Sequence, residues 1–280
     1  MAEITTATIM DLRARTNAGM MDCKRALTDA QGDMEVAIKL LREKGLAIQI
    51  KRASKEANQG IVQAAASDDG RTIALVEVNS ETDFVAKTDG FKAFVDAVAA
   101  RALAGDEQVA ESMKEELVAI VAATGENVKI RRVARFVRAG EGMVESYIHM
   151  GGKVGVIVEV GCGLAATAAN EVFAALVHDI ALQVAAAAPR WLVSSEIPVE
   201  VVEGEKDIYR TQVEGKPAQV IDKILEGKLA KFYGEVCLVN QAFVKEPPKQ
   251  TVTELVDSVA KALGDKIEIR RFARFQLGAA

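Results

Sequence analysis

The chain has 280 residues, enough for about two domains with a sizeable core. Half of its residues are apolar and 27% are charged, an ordinary globular composition, with acids exceeding bases to a formal net charge of −5. That balance disfavours a general nucleic-acid binder, which needs a basic excess against phosphate, and leaves a protein that meets another protein as the better expectation. Cys23, Cys162 and Cys237 are odd in number and far apart, so neither a disulfide framework nor a zinc site is expected. Reduced thiols in a cytoplasmic protein fit best. The opening Met1-Ala-Glu-Ile-Thr-Thr6 lacks the basic and apolar regions of a secretory signal. Val172–Ala188 comes nearest to a membrane span but carries His178, Asp179 and Gln183.

Residues 1–55 read as a small three-helix module. Thr5–Arg15 has a weak apolar stripe through Leu12, with Arg13 and Arg15 on the wet side, and Asn17-Ala-Gly19 breaks it. Asp22 is expected to cap a helix over Cys23–Ala30 that Gly32 ends. Asp33 caps a third, whose Val36, Ile38, Leu40 and Leu41 supply an apolar face up to Gly45. Met20 and Met21 are adjacent, so both cannot face one stripe. They either tuck partly into the bundle or present thioethers to a partner. Residues 46–59 read as a linker with some helical character.

Beyond the linker the chain repeats itself. Gly60, Gly70, Glu77 and Phe91 recur 82 residues later as Gly142, Gly152, Glu159 and Phe173. Val128–Phe136 recurs 139 residues later as Ile267–Phe275. The offset has grown between these matches, so the second copy carries an insert of about 57 residues. Each copy predicts a hairpin, Ile61–Ser67 with Thr72–Val78 or Met143–His149 with Lys153–Val160. A helical face follows (Phe91, Phe94, Val95, Val98; Phe173, Leu176, Val177, Ile180), then a third strand at Val128–Val137 or Ile267–Gln276. The fold class is α+β, with two duplicated subdomains at residues 56–140 and 141–280, each a small antiparallel sheet covered by helices.

The third strands carry Arg131, Arg132 and Arg135, and Arg270, Arg271 and Arg274. With acids nearby, intramolecular ion pairs or a solvated edge outweigh a nucleic-acid surface. The insert, near Ser195–Gln241, predicts two helices, Pro198–Gln212 and Pro217–Phe232, around Glu214-Gly-Lys-Pro217. Val201, Val202 and Ile208 would face Val220, Ile221, Ile224 and Leu225 as a helical hairpin. It either packs on its own sheet or projects toward a partner or a second copy of the chain.

Material for catalysis is scarce. The only histidines are His149, at a strand end, and His178, in an apolar helix. Cys23 has no acid–base partner in view and reads as a small buried thiol. Gly151-Gly-Lys-Val-Gly155 precedes a strand and opens no helix, so it is not a phosphate loop. Glu81 and Asp83 offer two carboxylates with no third ligand in reach, and neither a hydrolase nor a cofactor is favoured. The connection Asn79-Ser-Glu-Thr-Asp-Phe-Val-Ala-Lys87 is the unusual stretch. Phe84 either folds back onto its own core or faces outward. The duplication aligns Thr82, Asp83 and Phe84 with Leu164, Ala165 and Ala166. A fold that needed a plug there would keep bulk in both copies, which favours an outward task.

Met20-Met-Asp-Cys-Lys-Arg-Ala-Leu27 and Glu81-Thr-Asp-Phe-Val-Ala-Lys87, with Ile130-Arg-Arg132 and Tyr147-Ile-His149 in order, resemble the bacterial translation elongation factor Ts family over residues 1 to about 276. The resemblance implies a guanine-nucleotide exchange factor acting on the GDP form of elongation factor Tu, with no covalent chemistry, nucleic acid or membrane of its own. It implies a ubiquitin-associated-like first module and a coiled coil for the insert, through which self-association is also conceivable. Thr82, Asp83, Phe84 and Val85 would be the magnesium-dislocating segment. Arg13, Met20 and Met21 would grip the nucleotide domain, Gly125 and Glu126 would lie near the central contact, and His149 would touch another domain. A scaffold or holdase that binds without promoting exchange is the alternative.

Overall fold

The computed structural model describes residues 4–16, 18–212, 218–245 and 250–279, with backbone alone for residues 218–220. The Asn17 break, the Glu214–Pro217 break, the Val220 side chain and the first three residues lie outside the described residues. In chain order the elements are α1 (Thr6–Thr16), α2 (Met20–Asp29), α3 (Met34–Arg52), β1 (Gln59–Ala66), β2 (Thr72–Ser80), α4 (Asp83–Ala86), α5 (Asp89–Leu103), α6 (Val109–Ser112), α7 (Lys114–Thr124) and β3 (Lys129–Val137). The second half adds β4 (Gly142–His149), β5 (Val154–Cys162), α8 (Ala165–Ala168), α9 (Glu171–Ala187), α10 (Val199–Thr211), α11 (Ala218–Val236), α12 (Val252–Leu263) and β6 (Ile267–Gln276). Two three-stranded sheets, ordered β1-β2-β3 and β4-β5-β6, make this an α+β protein.

The chain divides into two compact units. The first gathers the residues up to Arg135 with Ile148–Gly155 and the segment from Phe275 onward; the second holds Phe136–Tyr147 and Val156–Arg274.

In the first unit α1, α2 and α3 enclose Leu12, Cys23, Leu27, Ala37 and Leu41. Asp33 caps α3 as its position demands, its Oδ1 accepting from the amides of Glu35 at 2.9 Å and Val36 at 3.0 Å. Asp22 does not cap α2. The helix starts three residues earlier than expected, at Met20 after Gly19, and the Asp22 carboxylate instead meets Lys44 Nζ at 2.5 Å. Nor does α3 stop at Gly45. It runs to Arg52, and Gly45 lies where a Cβ would sit 2.7 Å from the Val118 carbonyl of α7. A glycine that would end an isolated helix here permits close packing between two.

β1 and β2 pair antiparallel from Gln59–Ser80 to Ala66–Ile73. Ala74, Val76 and Val78 of β2 pack with Phe91, Phe94, Val95 and Val98 of α5. Each fully buried large apolar side chain contributes about 1.5–3 kcal/mol. Gly60 has φ +135°, and a Cβ there would collide with the Val78 carbonyl. Gly142, its repeat, has φ +141° and meets Val160 in the same way. The repeated glycines therefore mark one backbone requirement met twice.

Two of the three β3 arginines, Arg131 and Arg132, serve a buried carboxylate, while Arg135 donates its Nε to the Leu103 carbonyl at 3.0 Å. Glu77 is wholly buried and accepts from Arg132 Nε at 2.6 Å, Arg131 Nη1 at 3.2 Å, Asn79 Nδ2 at 3.0 Å and the Gly278 amide at 3.1 Å. Arg132 also stacks on Phe275, 4.5 Å from the ring centre, and donates to the Gln276 carbonyl.

The second unit repeats the device. Glu159 accepts from Arg271 Nε at 2.7 Å, Arg270 Nη1 at 3.4 Å and the Ala139 amide at 2.7 Å, and Arg271 stacks on Phe136 at 4.2 Å. Its core buries Phe173, Leu176, Val177 and Ile180 of α9. Gln183, polar in that apolar helix, is fully buried because it fastens the returning chain. Its amide donates to Gln241 Oε1 at 3.1 Å, and its oxygen accepts from the Val244 amide at 2.9 Å. Between them α10 and α11 pack on each other, with Val201 and Val202 against Ile197, Phe232 and Cys237. Ile208 departs from the expected seam and is 53% exposed. Among the described residues no helix is long and apolar enough to cross a membrane.

Candidate functional site

The connection after β2 is a braced single turn. Thr82 has extended backbone (φ −124°, ψ 155°) and caps α4 through its hydroxyl, which accepts from the Val85 amide at 3.4 Å. The same hydroxyl donates to Glu126 Oε1 at 2.6 Å, and the Thr82 amide donates to Oε2 at 3.0 Å. Glu126 follows Gly125, whose left-handed conformation (φ 72°) ends α7 and turns the chain toward Thr82. Gly125 and Glu126 thus lie against the Thr82 turn, and Glu126 holds it by two hydrogen bonds.

Glu81 braces the turn from the other side. Its Oε1 accepts from the Asn127 amide at 2.6 Å and its Oε2 from Arg52 Nη1 at 2.7 Å. Burial pushes the Glu81 carboxyl up, but the Asn127 amide and the Arg52 guanidinium outweigh it and hold it below the ordinary value of 4.5. A carboxylate lowered by folding contributes stability above its unfolded value and loses it as pH falls through the folded one. The hydrogen-exchange protection factor of the Asn127 amide should accordingly be level above pH 4.5 and decline below it. In a Glu81→Gln variant that acid-dependent decline should vanish; if it persists by NMR, Glu81 is not the brace.

The brace presents Phe84 to solvent. Its side chain is 79% exposed while the flanking Val85 and Ala86 pack into the core of the first unit. Lys87 reaches back over the turn, with Nζ 2.5 Å from Asp83 Oδ2 and 5.9 Å from the Phe84 ring centre. This hydrogen bond holds the Asp83 carboxyl below the usual range, and the Lys153 charge lowers it further. A depression of about 590 Å³ surrounds the ring, bounded by Gly60, Ile61, Lys92, Lys153 and Leu277. Glu81 and Asp83 are therefore turned to different partners and do not form an open acid–base or metal pair. Among the described residues no cluster of three or more metal-binding side chains occurs.

The other candidates are placed as follows. Met20 and Met21 are the first residues of α2, 44% and 67% exposed, and Arg13 is exposed on α1. Beneath them Cys23 is fully buried, its thiol pushed up by burial, which excludes the lowered pKa that a helix start can give. His149 is exposed at the end of β4, where its carbonyl accepts from the Lys153 amide at 3.1 Å. His178 is exposed on α9 and engaged by β4. Its Nδ1 lies 2.5 Å from Glu145 Oε1 and its ring meets Tyr147 edge-on. The sequence did not reveal Arg52 and Asn127 as parts of the brace, since their partner Glu81 lies 29 and 46 residues away. Lys92 had a signal in the repeat, for its counterpart in the second copy is Ala174.

Residues 81–279 match the family model described as Elongation factor TS. A curated protein of Trichlorobacter lovleyi named Elongation factor Ts is 44% identical, the alignment covering 98% of this chain and 93% of the relative. Proteins of the same name from Nautilia profundicola, 42% identical (99% and 94% covered), and Clostridium botulinum, 41% identical (98% and 93% covered), are similar over almost their whole lengths.

Proposed function

The chain belongs to the elongation factor Ts family, and on that premise we propose that it is a cytoplasmic guanine-nucleotide exchange factor for elongation factor Tu. The family makes it a translation elongation factor; the exchange step and the roles of single residues are our inference. The observation that carries it is Phe84, a 79% exposed aromatic on a turn braced by Glu126 and Glu81, replaced by Ala166 in the second copy. A rigidly held exposed ring stabilises nothing in its own fold and is suited to another protein's pocket.

In this reading Thr82–Val85 enters the GDP-bound GTPase. Phe84 wedges into an apolar pocket of its switch region, and Asp83 leaves Lys87 to disturb the polar contacts around the partner's magnesium ion. No covalent bond changes. Exchange follows from linkage, because factor and magnesium–nucleotide weaken each other's binding by the same factor. Arg13, Met20 and Met21 grip the nucleotide domain, Gly125 and Glu126 position the wedge, and His149 contacts a different domain of the partner. We assign residues 1–55 to a ubiquitin-associated-like binding module, 56–140 and 141–280 to the duplicated core, and α10–α11 to its coiled-coil insert.

The chain should accelerate release of a fluorescent GDP analogue from purified elongation factor Tu, by stopped flow. If the action runs through magnesium, chelating the ion beforehand should remove most of the acceleration. Complex formation with no acceleration would instead support a scaffold or holdase.

A further inference from the structure

The depression around Phe84 has a charge opposite to that of the chain. Lys87, Lys92 and Lys153 border it in a protein of net charge −5. Its two acids are already engaged, Glu81 by Arg52 and the Asn127 amide, Asp83 by Lys87. Lys92 and Lys153 form no ion pair among the described residues, and both are exposed. The repeat supplies a control. The positions of Lys87 and Lys92 in the second copy are Ala169 and Ala174, so these two cations are absent where the aromatic is absent; Lys153 belongs to the second copy itself, at the place of Arg71. A cation placed merely to solvate this helix start has no reason to follow the ring.

We propose that these lysines form a cationic collar that docks on carboxylates rimming the pocket that receives Phe84, and that the collar sets the rate of encounter and not the rate of nucleotide release. The occupant is the partner GTPase, so the inference rests on the function proposed above. Exposed rim charges act over about a Debye length, ~8–10 Å at physiological salt, and chiefly raise association rates. They are too well solvated to add much to the final complex. An RNA partner is disfavoured by the chain's overall charge, although phosphate would suit the same lysines.

The test is a Lys92→Glu/Lys153→Glu variant, which leaves Phe84, Asp83 and Lys87 in place. Stopped-flow association with GDP-bound elongation factor Tu should slow by about tenfold at low ionic strength, and the difference from wild type should close as salt rises. GDP release at saturating factor should be unchanged. Equal association rates at low salt, a loss that does not respond to salt, or slower release at saturation would overturn the collar. So would salt-sensitive binding of single-stranded RNA by wild type that the variant loses. If wild type itself fails to accelerate GDP release, the exchange function falls first, and the two failures are distinguished in one series.

Discussion

Phe84→Ala is expected to lower accelerated GDP release by about tenfold to a hundredfold, the equivalent of losing a buried aromatic worth roughly 1.5–3 kcal/mol. The melting temperature should not move. With the ring 79% exposed there is little transfer free energy to lose, and the packing of Val85 and Ala86 does not depend on it. The combination is diagnostic, because a ring that plugged its own core would lower both quantities together. Adding the ring to the second copy, Ala166→Phe, should not rescue the Phe84→Ala variant. Position 166 follows Leu164, which forms no side-chain cap, where Thr82 makes one and is tied to Glu126. A fall in melting temperature alongside the rate, or rescue by Ala166→Phe, would remove the wedge from the mechanism.

The largest effect on stability is expected from Arg132→Met. Glu77 has no exposed surface, and Arg132 provides its shortest bond along with a cation–π contact to Phe275. Methionine keeps much of the apolar bulk but leaves a buried carboxylate with Arg131, an amide side chain and one backbone amide. Removing one partner of such a pair costs about 3–5 kcal/mol. Arg131 remains, so the lower end, about 3 kcal/mol, is expected in urea denaturation. Arg271→Met repeats the experiment on Glu159 in the second unit, and a comparable loss there would show that both repeats depend on the same device. Losses under about 1 kcal/mol in both variants would mean that these pairs serve specificity instead of stability.

The features that were legible in the sequence are local or repeated. The helical faces led by Phe91 and Phe173 were readable because a 3.6-residue period needs no partner. Gly60 and Gly142 were visible through their recurrence, and the exposure of Phe84 was legible through the mismatch with Ala166. What could not be read depends on distant chain. Gly45 read as a helix end because its reason for being small is α7, more than 70 residues onward. Asp22 read as a cap because Asp favours that position, but Lys44 claims its carboxylate. The Thr82–Glu126 tie spans 44 residues and no periodicity announces it. Glu77 and Arg132 were seen as charges, but their pairing took the sheet to disclose.

The contribution of Phe275 and Gly278 to the first unit has a consequence for the order of synthesis. A ribosome adding about 5–20 residues per second delivers these groups roughly 7–30 s after β3. Until then Glu77 lacks one of its amide donors and Arg132 the ring on which it stacks. The Phe84 depression also lacks its Leu277 wall. The first half of the chain therefore waits for the second half to complete both the surroundings of Glu77 and the wall of the depression around Phe84. A polypeptide released early would carry Glu81–Lys87 intact but without the Leu277 wall, the Gly278 amide on Glu77 and the Phe275 ring on Arg132.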